Sequence, residues 1–235
     1  MSHYDEYAGS VPLRGMAVES RATFITKTYM HLAGAMALFV AVEAAIFKAG
    51  LAKPMFEAMT QAWWLVLGGF VLVSWMARGV AHRAESLGAQ YAALGGFVVM
   101  EAIIFVPLLY KANIISERSG GGLIESAAAV TLLGFGALTA IAFITKKDFS
   151  FMRSFLMWAG FGAMALIVGG MIFGFNLGLY FSVGMVILAG ASILYDTSNV
   201  IHHYSEDKYV AAALELFASV ALMLWYVLRI FMSRR

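Results

Sequence analysis

Seven predominantly apolar runs follow one another with scarcely a break, over residues 29–49, 62–77, 89–110, 123–145, 155–175, 177–196 and 209–232. A helix needs about 20 such residues to cross a hydrocarbon core. Strands of a membrane barrel would alternate apolar and polar side chains, and these runs do not. The reading is an all-α integral membrane protein, a seven-transmembrane-helix bundle. Composition agrees: 13% of residues are charged and 62% are apolar, whereas a soluble domain carries about 25% charged residues. The surplus apolar surface must face lipid.

The runs use up most of the chain. Residues 1–27 read as a polar N-terminal tail and 28–235 as the transmembrane domain, with no room for a second domain. The tail lacks the short apolar core and small-residue cleavage site of a signal peptide, so the first span is expected to serve as its own insertion signal. Gly68 and Gly69 in the second run, and Gly169, Gly170 and Gly174 at the end of the fifth, are expected to let helices approach closely. The break between 175 and 177 demands a tight antiparallel hairpin.

Seven crossings place the tail and the segments holding Arg78, Arg83, Lys146, Lys147, Arg153 and Lys208 on one side, with nine cations against seven on the other. The excess puts the N-terminus in the cytoplasm and the C-terminus outside. Arg229, Arg234 and Arg235 weigh against that orientation.

A charge at mid-bilayer costs about 2.5 to 3.5 kcal/mol on insertion scales, so each one calls for a reason. The candidates within the runs are His31, Glu43, Glu101, Glu125, Asp196, Glu215 and Arg229. Glu125 and Arg229 sit near run ends, where their side chains can reach the interface. Asp196, Asn199 and His203 fall at i, i+3 and i+7, one face of a helix continuing past the membrane edge. Such a carboxylate can hold a proton or a cation, or it can tie one helix to the next. Glu215 and Ser219 lie one turn apart on the last span and, with Asp196, form a possible polar cluster that Glu43 and Glu101 would complete. For Glu43 and Glu101 a satisfied interhelical hydrogen bond is the simpler expectation.

Other chemistry is missing. The basic residues form no stripe for nucleic acid, and no nucleophile, cofactor loop or metal set points to an enzyme. The chain has no cysteine, and adjacent His202 and His203 point to different faces and make a poor metal pair. No lysine for retinal lies inside the last span, and no span carries the repeated arginines of a voltage sensor.

Residues 195–204 (YDTSNVIHHY), the link at 145–151 (TKKDFSF), Pro107 and the end of the last span together resemble the transmembrane Bax-inhibitor-motif family, specifically its bacterial YccA-like branch. The resemblance runs from about residue 21 to 229. It implies a central helix surrounded by six others. It also implies, for the wider family, two acids on the sixth and seventh spans forming a pH-sensitive pair linked to a calcium leak. Asp196 matches the first acid, but the second falls on Ser219. A shared-proton pair needs two carboxylates close enough that like charge keeps one protonated, so that switch does not carry over intact. Glu215 would have to restore it.

The branch implies a regulatory protein of the bacterial inner membrane that is both modulator and substrate of the membrane AAA protease FtsH, which would grip the N-terminal tail. The other expectations are a pH-sensitive calcium or proton leak through buried carboxylates, with calcium as a transported ion and no cofactor, or a structural subunit of a larger assembly.

Overall fold

The computed structural model describes residues 18–83 and 86–234, and no strand occurs among them. The order is α1 (Val18–Lys48), α2 (Ala52–Gln61), α3 (Trp63–Arg83), α4 (Leu87–Arg118), α5 (Leu123–Thr145), α6 (Met152–Phe173), α7 (Gly178–His202), a 3-10 turn (Glu206–Lys208) and α8 (Tyr209–Ser233). Six helices are each long and apolar enough to span a bilayer. The seventh candidate is the pair α2 and α3, bent by 97° to each other.

Hydropathy marks where lipid begins and ends; helices stop where backbone pairing stops. α1 therefore starts at Val18, so residues 18–27 are helical where a tail is expected, while residues 1–17 lie outside the described residues. Phe24 and Thr28 are buried there, and Arg21 donates to the carbonyl of Ile201 at the end of α7. α2, in a stretch that reads as a loop, lies against α4 through Phe56 and Tyr110, whose ring centroids are 5.2 Å apart. α3 runs on to Arg83, and α7 to His202.

α8 is the innermost helix. It packs against α1, α3, α4, α5 and α7, and its Tyr226 shares a small buried cluster with Ala163 of α6 and Met185 of α7. Its buried alanines Ala211 to Ala213 let neighbours approach, which is how helices associate where lipid is as apolar as the side chains. α6 is peripheral and turns Phe155, Trp158, Phe161 and Phe173 outwards.

Not every glycine works as expected. A Cβ at Gly170 would meet the carbonyl oxygen of Phe175 at 3.1 Å, so this glycine admits the chain's own α6–α7 turn rather than another helix. Gly174 caps α6 at φ 72°, a conformation that costs glycine little. Gly68 and Gly69 have no neighbour within 4 Å of a Cβ position. The close helix contact is at Gly190 of α7, whose Cβ would come within 3.2 Å of Leu138 Cδ1 of α5.

Contacts sort the helix ends into two faces. The starts of α1, α4 and α8 meet the ends of α5 and α7: Gln90 Nε2 donates to the carbonyl of Asp207, Lys27 lies over the Tyr209 ring, and His203 pairs with Asp148. The far face gathers the end of α1, α2, the α4–α5 turn, the α6–α7 turn and the end of α8.

Candidate functional site: a buried acidic cluster at the end of a cavity

Three helices supply the cluster. α7 carries Asp196, α8 carries Glu215 and Ser219, and α3 carries Arg78 and His82. The last two pairs are each spaced i, i+4, which stacks them on one helix face. Asp196 is 9% exposed, and the hydroxyl of Ser219 donates to its Oδ2 at 2.5 Å. Glu215 receives Arg78 Nε on Oε2 at 3.2 Å and has His82 Nε2 at 3.0 Å from Oε1. Asp196 and Glu215 lie within electrostatic reach of each other and bond to different partners. Burying a carboxylate is costly unless hydrogen bonds or a cation accompany it. Here one acid has a hydroxyl and the other a cation and an imidazole.

His82 stacks on Tyr204, with ring centroids 5.9 Å apart and planes 18° from parallel, and Tyr204 stacks in turn on Phe24. Burial, then the charge of Glu215, pushes the Tyr204 phenol well above its ordinary range, so it stays neutral.

A cavity of about 670 Å³ runs between α3 and α4 on one side and α6 and α7 on the other, with α8 as its floor. Arg78, Glu101 and Ser219 are in its wall at the level of the cluster, while Asn176 and Arg229 line it towards the far face. Two residues therefore belong to both features: Ser219 holds Asp196, and Arg78 holds Glu215.

The remaining sequence candidates separate. Glu101 is 5% exposed and lies within electrostatic reach of Arg78. Glu43 of α1 is 7% exposed, and neither of its carboxyl oxygens has a hydrogen-bond partner among the described residues. The expected interhelical bond of Glu43 is thus not formed, and Glu43 takes no part in the contacts of the cluster. His203 turns away from Asp196 and pairs with Asp148, 3.0 Å from both carboxyl oxygens. Asn199 contributes its carbonyl to the amides of His203 and Tyr204. His31 bonds the Tyr91 hydroxyl.

Sequence reasoning missed Arg78, His82 and Tyr204 as site residues. The first two read as the cationic edge of a short span. Their i, i+4 spacing, matching that of Glu215 and Ser219, was the available signal.

Residues 21–235 match the family described as inhibitor of apoptosis-promoting Bax1. The chain is 27% identical to Bax inhibitor 1 of Schizosaccharomyces pombe over 226 residues, covering 91% of this chain and 77% of that protein. It is 28% identical to an uncharacterized Campylobacter jejuni protein over 247 residues, covering the whole of both. With an uncharacterized Pseudomonas aeruginosa protein it shares 35% identity over 114 residues, spanning 48% of this chain and 51% of that one.

Proposed function

The chain belongs to the Bax inhibitor family of multi-pass membrane proteins, and from that premise we propose that it provides a gated, pH-responsive path for cations across the bilayer, closed by the contacts of Asp196 and Glu215. The observation that carries this reading is that the cavity ends on Ser219 and Arg78, the residues that hold the two acids. A cation entering from the far face would meet Glu101 and then Asp196. Glu215, paired with Arg78 and His82, keeps its charge, whereas Asp196 has only a hydroxyl for partner. Acidification neutralises Asp196 first and loosens the Ser219 contact that closes the cavity, so the path opens. This route uses Glu215 and Arg78 in place of a second aspartate at Ser219.

The test is flux of calcium into liposomes carrying a calcium dye, measured from pH 5 to 8. Glu215→Gln, which releases Arg78, is expected to leak at every pH, and Asp196→Asn, which mimics the protonated acid, is expected to lose the pH response. Flux indistinguishable from wild type in both variants at every pH would make the acids packing elements and end the proposal.

Modulation of FtsH is the second reading. Its support is the resemblance of the 195–204 and 145–151 segments to the YccA-like branch and a polar start to the chain. The described geometry bears on the first reading alone, since residues 1–17 lie outside it.

A further inference from the structure

The cavity has a feature that a cation path does not require. Arg229 lines its far-face end, and it has no carboxylate partner among the described residues. Its guanidinium lies 5.7 Å from the ring of Tyr226, which also faces the cavity. Between Arg229 and the buried cluster the wall is apolar, formed by Met164, Ile167, Leu222 and Trp225 among others. An unpaired cation at the end of an apolar slot matches a carboxylate on a hydrocarbon chain, since charge-assisted pairing adds to burial of apolar surface.

Volume narrows the ligand further. Taking one methylene as about the volume of one water in the liquid, about 30 Å³, a chain of about eighteen carbons needs about 540 Å³. The cavity, at about 670 Å³, has room for the single chain.

We propose that this cavity is a binding site for a long-chain fatty acid, with the carboxylate on Arg229 and the chain along α6 and α8 beside Trp225. The site stands whether or not cations pass through the bundle.

Trp225 and Trp63 both line the cavity and are built-in reporters, and the three other tryptophans (Trp64, Trp75 and Trp158) can be changed to phenylalanine. Titrating that variant in detergent with 9,10-dibromostearic acid should quench the two remaining tryptophans saturably. The methyl ester, with the same chain and no charge, should bind about tenfold or more weakly, the worth of a lost hydrogen bond to a charged group. Arg229→Gln should weaken the acid by the same factor. A Cβ at Gly160 meets nothing within 4 Å, and this residue lines the cavity, so Gly160→Leu should fold and block binding. Native mass spectrometry of the unaltered chain should show one oleate per protein, lost in Gly160→Leu. Quenching that rises without saturation, equal binding of acid and ester, or an unchanged oleate count in Gly160→Leu would each overturn the site.

Discussion

At the scale of residues, the hydroxyl of Ser219 is the simplest part of the site to isolate. It is 7% exposed, and its donation to Asp196 Oδ2 supplies that carboxylate with a partner where water is scarce. Ser219→Ala keeps the volume nearly constant and removes the donor. Leaving a buried acceptor unsatisfied costs about 1 to 3 kcal/mol, and in a chain of this size each kcal/mol lowers Tm by about 2 to 4 °C. Ser219→Thr keeps the hydroxyl and should stay nearer to wild type. Thermal unfolding in one detergent compares the three, and equal midpoints for Ser219→Ala and wild type would show the bond to be idle. Asp196 and Glu215 were legible because an ionisable residue in an apolar run stands out against the cost of putting it there, and Ser219 because it lies one turn from Glu215 where the family resemblance places a second acid. Arg78 was not, because a cation near the end of a hydropathy window is indistinguishable from a snorkelling side chain until the helix is known to continue to Arg83.

Elements were legible in number and type, and less so in extent. Hydropathy captures the lipid-facing stretch of each helix, but an end that packs outside it, such as 18–27 of α1, depends on contacts far apart in sequence, while the extension of α7 past residue 196 showed only in the helical spacing of Asp196, Asn199 and His203. The link between α5 and α6 shows such a contact. Ser198 of α7 accepts the amide of Phe149 and donates to the carbonyl of Lys147, while Asp148 faces His203 and accepts the amide of Ser150. The bond with His203, followed by that from Ser150, holds the Asp148 carboxyl well below its ordinary range. A carboxylate depressed in the folded state stabilises above its unfolded pKa, about 3.9, and that contribution is lost as pH falls through the folded value. Asp148→Asn keeps the acceptor for Ser150 and removes the carboxylate charge from the contact with His203. With side-chain exposures of 29% for Asp148 and 41% for His203, the pair is worth about 0.2 to 1 kcal/mol. Melting curves should place Asp148→Asn about a degree or two below wild type at neutral pH, the gap closing below about pH 4. A gap independent of pH would assign the difference to local packing.

For the whole molecule, the family resemblance implied a central helix without saying which one; the structure makes it α8, and the physical basis is the run of small residues Ala211 to Ala213 and the buried face that continues to Leu228. The cavity was not legible at all, since it depends on α3 and α6 standing apart across α8, a tertiary arrangement that no local pattern encodes.

Orientation is the remaining question at this scale, and the two faces make it answerable. The face that gathers the starts of α1, α4 and α8 carries nine cations if the N-terminal segment is counted with it, against seven on the other. A difference of two predicts cytoplasm for the first face, because positively charged loops are retained there. The chain contains no cysteine, so each one introduced is a unique reporter. Ser150 is exposed on the first face, in the α5–α6 link, and Ala49 is exposed on the far face after α1. In spheroplasts, a membrane-impermeant maleimide should label Ala49→Cys at once and Ser150→Cys only after lysis. The reverse pattern would put the far-face end of the cavity, and Arg229 with it, in the cytoplasm, so that both a cation and a fatty acid would enter from within the cell.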